Sequence, residues 1–170
     1  MGWNFQLTIG VMVLIREAAF PADLDSAQRL FLAYRDTPGV SECVVGFERE
    51  IAGLPGDFGQ PKGAILIASI DAADIGCVAL RPLDKGVCEM KRLYVAPAAR
   101  GGGAGRRLVL AAIDEATAKR YRALRLDTLP SMQSAIALYC ELGFRRIDRY
   151  NAAAPADAIF FELRLAESVL

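Results

Sequence analysis

Residues 88–111 constrain this chain most, because a strand pattern, a glycine cluster and a helix pattern follow one another there. Pro97 ends the strand pattern, since proline has no N–H to donate to a sheet. Four glycines lie between positions 101 and 105, and no further Gly or Pro occurs before Pro130. A strand, a glycine turn and a helix in this order direct several unpaired backbone N–H groups at one point, which is typical of an anion site. The strand part alternates between two sets of side chains, namely Cys88, Met90, Arg92 and Tyr94 on one predicted face and Glu89, Lys91, Leu93 and Val95 on the other.

The glycine spacing indicates which kind of anion site this is. A Walker A loop and a dinucleotide fingerprint both fail to match in any frame. The pattern that matches is Arg-x-x-Gly-x-Gly, at Arg100, Gly103 and Gly105, and it resembles the pyrophosphate loop of the GCN5-related N-acetyltransferase (GNAT) superfamily, whose members bind acetyl-coenzyme A. The alternative is a glycine-rich connection without a ligand.

A second stretch supports the same resemblance. Residues 126–144 look like the C-terminal Leu-Tyr-x-x-x-Gly-Phe signature of the family, with Leu138, Tyr139, Gly143 and Phe144 in the matching positions. One position departs from the pattern: many relatives carry Asn seven residues before the motif tyrosine, where this chain has Met132. The departure implies that a polar contact to the cofactor is missing or replaced.

The order of predicted elements, β-α-α-β-β-β-α-β-α-β-β, resembles the GNAT fold from about residue 13 to residue 165. The implied class is α/β (α+β): a mixed, mostly antiparallel central sheet of about seven strands, splayed between the fourth and fifth, with four helices on its faces. We predict a single domain over residues 13–166 and an N-terminal extension over residues 1–12, with either an ordered or a disordered extension compatible with the sequence. The predicted helices cover residues 24–37, 41–51, 103–120 and 131–142, with Ser131 as the N-cap of the last. The predicted strands cover residues 13–17, 64–70, 75–82, 87–95, 124–129, 144–150 and 159–165.

The resemblance also assigns cofactor contacts. Backbone N–H groups of the glycine loop would bind the pyrophosphate, and the loop residues concerned are Arg100, Gly101, Gly102, Gly103, Ala104, Gly105 and Arg106. Leu93 and Val95 would present main-chain groups to the acetyl carbonyl and the pantetheine, in an arrangement similar to an oxyanion hole. The alternative for these two residues is ordinary core packing.

Two side chains are candidate catalytic residues. Tyr139 would protonate the leaving thiolate, since in the family this tyrosine reaches the cofactor sulfur; the alternative is a buried structural tyrosine. Glu89 occupies the position of the general base in some relatives and would take the proton of the acceptor amine. The alternatives are a strand carboxylate paired with Lys91 and a proton relay through water.

Composition excludes several other classes. The chain has 170 residues, 54% hydrophobic and 24% charged, which suits a single globular domain. Twelve Lys and Arg against six Asp and Glu fall within residues 87–150, so the glycine loop lies in the positive part of a chain of zero net charge. This excess suits coenzyme A and is too small to favour nucleic acid.

Four cysteines without a CxxC pair and the absence of histidine predict reduced core thiols, no metal site and a cytoplasmic location. The apolar run at residues 9–15 is too short to span a membrane.

The predicted function is transfer of an acetyl group from acetyl-coenzyme A to a primary amine of a small molecule or peptide, by direct attack in a ternary complex. A non-catalytic acyl-coenzyme A sensor and an O-acyltransferase are the alternatives, and a homodimer is compatible with the sequence. An acidic cluster in the segment expected to line the acceptor cleft suggests a cationic acceptor, and a solvated helix face is the alternative. The cluster consists of Glu42, Glu48, Glu50 and Asp57.

Overall fold

A computed structural model describes residues 12–40 and 46–166 of the chain. The helices are α1 (Leu24–Arg35), α2 (Phe47–Ala52), α3 (Ala104–Ala118) and α4 (Gln133–Glu141), with short 3₁₀ turns at Gly56–Phe58 and Pro97–Ala99. The strands are β1 (Leu14–Glu17), β2 (Ala64–Ile70), β3 (Ala73–Asp84), β4 (Val87–Val95), β5 (Ala123–Thr128), β6 (Arg145–Ile147) and β7 (Ile159–Arg164). The predicted extension at residues 1–12 lies almost entirely outside the described residues.

One seven-stranded sheet organises the chain, in the order β1-β2-β3-β4-β5-β7-β6. Every neighbouring pair is antiparallel except β4 and β5, which are parallel. Short connections explain the antiparallel pairs, whereas α3 supplies the crossover that a parallel pair requires. The predicted seven-stranded mixed sheet with four helices is therefore confirmed.

Two hydrophobic clusters cover the two faces of the sheet. The α3 face buries Leu108 and Ala112 of α3 against Val78 and Leu80 of β3. The opposite face, which we call the α1 face, buries Leu30 and Phe31 of α1 against Ile65, Cys77 and Ala79. The alternation of side chains along β3 thus serves two cores, as expected for a sheet covered on both sides.

A β-bulge at Arg92 interrupts β4 and corrects the predicted alternation of its faces. Ala79 pairs with Lys91 but Cys77 pairs with Tyr94, so β4 carries one extra residue opposite β3. Arg92 has a φ of 58°, a conformation that places an extra residue in a strand and turns its side chain aside. Cys88 and Met90 lie in the α3-face core, whereas Arg92 contacts α1 and α2. Arg92 and Tyr94 were predicted on the face of Cys88 and Met90, and that prediction is wrong. Beyond the bulge Leu93 and Val95, predicted on the other face, pack against the α3-face core, and Tyr94 packs against the α1-face cluster.

Two predicted helix starts also differ from the structure. The second helix begins at Phe47, because Gly46 before it is left-handed (φ 77°); residues 41–45 lie outside the described part. The last helix begins at Gln133 with Met132 as its N-cap and without a side-chain capping bond, so Ser131 does not cap it. Gly143 follows that helix at the C′ position in the left-handed conformation (φ 90°), which glycine adopts readily.

Candidate active site

A cleft of about 90 Å³ opens where β4 and β5 separate. The two strands pair only from Val87–Ala123 to Glu89–Arg125, and beyond that point they diverge. The cleft reaches both sides of the sheet: α4 contributes Ala135 and Tyr139, and the α1 side contributes Tyr34. Two groups that approach from opposite faces can therefore meet between the strands.

The glycine loop lies at the carboxyl end of β4. Gly101 and Gly103 have φ values of 83° and 80°, and a Cβ built at either position meets no atom within 4 Å. Gly103 is the N-cap of the fifteen-residue helix α3, whose first-turn N–H groups have no intrahelical acceptor. Left-handed glycines, open space and unpaired N–H groups together fit a bound pyrophosphate.

The two loop arginines have protein partners in the structure. Arg100 donates from Nε to the carbonyl of Val95 at 3.0 Å, which ties the loop to the end of β4. Arg106 forms an exposed ion pair with Glu141 at 2.9 Å and so links α3 to α4. Their side chains are thus engaged with protein groups, and the cofactor contacts of their backbones stay a prediction.

The two predicted main-chain binders lie at the end of β4, beyond the bulge. Leu93 lines the cleft, and both Leu93 and Val95 pack against the α3-face core. The Val95 carbonyl is bonded to Arg100, and a Cβ built on Gly105 would lie 3.8 Å from Val95 Cγ2. A methyl group at position 105 would therefore make ordinary van der Waals contact with the strand.

Tyr139 lies in the wall of the cleft and is 5% exposed. Its ring packs against Phe144 and Phe161, with centroid separations of 5.6 and 6.2 Å. Burial raises the pKa of the Tyr139 phenol above its ordinary value. The hydroxyl therefore stays protonated at neutral pH and can donate a hydrogen bond or a proton into the cleft.

Glu89 lies behind the cleft wall, fully buried, and both of its oxygens have partners. Arg81 contacts Oε2 at 2.7 Å, and the hydroxyl of Tyr150 donates to Oε1 at 2.9 Å. Lys91 is 3.8 Å from the same Oε1, on the shared face predicted from the sequence. Burial and the neighbouring Glu89 charge raise the pKa of Tyr150, so this tyrosine remains a donor to the carboxylate.

The charged side chains that line the cleft occur in ion pairs that the sequence did not reveal. Lys91 Nζ lies 2.6 Å from the Asp127 carboxylate across the gap between β4 and β5. Arg92 binds Glu50 with two hydrogen bonds of 2.8 and 2.9 Å. Only the bulge in β4 turns Arg92 toward α2, and no short-range pattern in the sequence announces it.

Pairing also changes the interpretation of the acidic cluster. Glu48 is held by Arg35 at 2.8 Å, and Glu50 by Arg92. Asp57 is exposed, and Glu42 lies outside the described residues. Within the described part of the chain, the two helical glutamates are thus neutralised by partners and do not form a free negative rim.

A loop held by one arginine closes the far side of the cleft. The guanidinium of Arg149 donates to four backbone carbonyls and stacks on Phe160 at 5.0 Å. The four acceptors, at 2.7–3.2 Å, are Asn151, Ala154, Pro155 and Ala156. Because Pro155 lines the cleft, Arg149 sets the position of that wall.

The described residues hold no group of His, Cys, Asp and Glu side chains suited to a metal ion. Cys77 and Cys88 are buried free thiols, and burial raises the pKa of Cys88 to about 12. Cys140 is free and exposed. Over residues 12–40 and 46–166, no helix is both long enough and apolar enough to cross a membrane.

The comparisons with known proteins agree with this geometry. Residues 27–144 match the model of the acetyltransferase (GNAT) family. An N-acetyltransferase of Schizosaccharomyces pombe, itself uncharacterized, is 31% identical over 157 residues, which cover 91% of this chain and 96% of that protein. The Escherichia coli N-acetyltransferase YjgM, also uncharacterized, is 32% identical over 94 residues, or 54% of this chain and 56% of that one.

Solved structures share the fold. A GNAT acetyltransferase of Staphylococcus aureus superposes with a TM-score of 0.77 at 17% identity, covering 91% of this chain and all of that one. The yncA protein of Salmonella typhimurium, solved with acetyl-CoA, superposes with a TM-score of 0.71 at 22% identity. The superposition covers 93% of this chain and 96% of that one. The chain belongs to the GNAT acetyltransferase family, and the resemblance noted in the sequence is confirmed.

Replacing Arg149 with Lys should loosen the loop that carries Pro155. A lysine keeps the positive charge but loses the planar guanidinium that bonds four carbonyls and stacks on a ring. We expect amide hydrogen exchange in residues 151–158 to become at least about tenfold faster, while the core strands keep their protection. Arg146→Lys, on the neighbouring strand β6, is the control. Equal exchange in Arg149→Lys and the control would show that the guanidinium does not order the loop.

Proposed function

We propose that this acetyltransferase moves the acetyl group of acetyl-coenzyme A to a primary amine of a small molecule or peptide, by direct attack within a ternary complex. The observation that carries the proposal is the cleft open to both sheet faces, with the glycine loop and α4 on one side and α1 on the other. A donor and an acceptor held in this way can react without a covalent enzyme intermediate.

The residues of the loop fit the donor. The N–H groups of residues 101–106 would hold the pyrophosphate, and Arg100 would keep the loop attached to β4 through Val95. Acetyl-coenzyme A in the yncA structure supports this choice of donor for a chain of the same fold. Bound acetyl-coenzyme A supplies an activated thioester; every other chemical role falls to the protein.

The divergence of β4 from β5 supports a role for main-chain groups at Leu93 and Val95. Beyond Glu89 the β5-facing side of β4 loses its strand partner, which leaves polar backbone groups available to a ligand in the cleft. We propose that they orient the pantetheine and stabilise the negative charge that develops on the acetyl oxygen. Met132 lines the same cleft in place of the asparagine of many relatives, so the backbone carries more of this binding.

Proton transfers complete the proposed reaction. The amine nitrogen forms its bond to the acetyl carbon, the carbon–sulfur bond breaks, and the thiolate takes a proton from Tyr139. The proton of the amine leaves toward Glu89, and because that carboxylate is fully buried, water near Lys91 would connect them. A non-catalytic acyl-coenzyme A sensor would need neither the proton donor nor the base. An O-acyltransferase would use both with a hydroxyl group as the acceptor.

A substitution at Gly103 tests the donor site. Gly103→Ala places a methyl group in the open space before the loop, where no protein atom lies within 4 Å. We expect the affinity for coenzyme A, measured by calorimetry, to fall more than about tenfold. Gly46→Ala is the matched control: Gly46 is also a left-handed N-cap (φ 77°) with open surroundings. If both variants lose the same stability and both keep the wild-type affinity for coenzyme A, the loop does not belong to the cofactor site.

Removal of the Tyr139 hydroxyl tests the proton donor. Tyr139→Phe keeps the ring contacts with Phe144 and Phe161, so we expect kcat to fall by about 10²-fold while acetyl-coenzyme A binding is retained. Because its pKa is raised, Tyr139 keeps its proton below about pH 10, and it should add no basic limb to the pH profile of the wild type. A variant with normal kcat, where chemistry is rate-limiting, would assign Tyr139 to packing.

Glu89→Gln tests the proposed base. Glutamine keeps the size and can still accept from Tyr150, but it cannot take a proton, so kcat/KM should fall and its acidic limb should move or vanish. Glu162→Gln on β7, which removes an ion pair with Arg125 of β5, controls for loss of charge. Wild-type rates between about pH 6 and 9 in Glu89→Gln would make the carboxylate structural.

A further inference from the structure

The cleft wall contains three charged side chains among the described residues, and all three are paired inside the protein. Lys91 and Asp127 form one pair, and Arg92 forms the other with Glu50 of α2. These side chains are also poorly hydrated: Lys91 and Asp127 are 14% and 13% exposed, and Arg92 is 9% exposed. Each charge therefore depends on its protein partner and not on water.

A second charge on an acceptor would disturb this balance. A substrate carboxylate would compete with Glu50 for Arg92, and a second ammonium would compete with Lys91 for Asp127. Either competition leaves a charge of the protein buried without its partner, which is strongly unfavourable. An acceptor with no charge beyond its amine avoids both.

The remaining wall is mainly apolar, with the hydroxyl groups of Tyr34, Thr128 and Tyr139 as its polar side-chain groups, and the part around Pro155 is held in place. Side chains that offer hydrophobic contact outside the proposed cofactor contacts are Val40, Leu129 and Pro155, beside the ring of Tyr34. Arg149 holds the backbone around Pro155 through its bonds to the carbonyls of Asn151, Ala154, Pro155 and Ala156. A preformed apolar wall binds an apolar body without an ordering cost.

From these observations we propose that the acceptor is a monoamine on an uncharged, apolar body, such as an arylalkyl or alkyl amine, and not an amino acid or a polyamine. This rests on the proposed function and names the substrate class of that site. The paired charges serve to reject acceptors that carry a second charge, since specificity arises as much from the cost imposed on the wrong ligand as from contacts to the right one.

Two pairs of amines test the class on the wild-type enzyme, with release of free thiol from acetyl-coenzyme A as the readout. Phenethylamine and phenylalanine differ by a carboxylate, and butylamine and 1,4-diaminobutane differ by a second amine. We expect kcat/KM to be at least about tenfold higher for the first member of each pair. Equal or better use of the second members, or no transfer to either monoamine, overturns the class. Failure of the proposed function itself would be visible separately, as absence of acetyl-coenzyme A binding in calorimetry.

A variant tests the cause of the preference. Glu50→Gln leaves Arg92 without its carboxylate, so the ratio of kcat/KM for phenylalanine to that for phenethylamine should rise by about tenfold. Glu48→Gln is the control on the same helix, because the partner of Glu48 is Arg35, which does not line the cleft. A ratio that stays constant in folded Glu50→Gln, or that rises equally in the control, contradicts a role of the Arg92–Glu50 pair. If Glu50→Gln does not fold, Lys91→Gln frees Asp127 for a second ammonium, so the ratio of kcat/KM for 1,4-diaminobutane to that for butylamine should rise by about tenfold, and a constant ratio contradicts the same principle.

Discussion

The site depends on one interruption of hydrogen bonding, the loss of pairing between β4 and β5 after Glu89 and Arg125. A parallel pair normally continues as far as both strands extend, because each unpaired backbone group buried in the sheet is unfavourable. Here the strands separate, and a ligand can take the place of the missing neighbour. The bulge at Arg92 lies within the diverging part of β4 and reverses which side chains face each core. The backbone geometry thus creates the cleft, and the side chains line it.

Charge inside the site is balanced locally. Lys91 joins β4 to Asp127 of β5 across the region where the strands diverge, and Arg92 joins β4 to Glu50 of α2. Buried pairs of this kind contribute little net stability, but they hold their elements in one arrangement, because breaking them leaves a charge unpaired. The Lys91–Asp127 pair thus connects β4 and β5 beyond the last of their paired residues. The charged side chains of the cleft wall therefore lie where the two strands separate.

Local signals in the sequence predicted much of this structure. The glycine loop, the start of α3 near Gly103 and the bounds of β2 and β4 depend on neighbouring residues, and these were predicted to within one or two positions. The bulge could not be predicted, because Arg92 has no glycine or proline to mark its φ of 58°. The pairs Arg92–Glu50 and Lys91–Asp127 join residues 42 and 36 positions apart, which only the completed sheet brings together. Tyr139 was expected near the cofactor from the family resemblance and it lines the cleft, whereas the enclosure of Glu89 by Arg81 and Tyr150 was not expected.

In the loop held by Arg149, the path of the backbone does not depend on which side chains the loop carries. All four acceptors of the guanidinium are backbone carbonyls, and every residue type supplies a carbonyl. Side chains at residues 152–154 and 156, all alanine here, can therefore vary without loss of the bonds that give the loop its path. Such a loop can acquire new substrate contacts by single substitutions during evolution, at little risk to folding. For protein engineering, these alanines are the natural positions for a library that changes acceptor preference while Arg149 and Phe160 are kept.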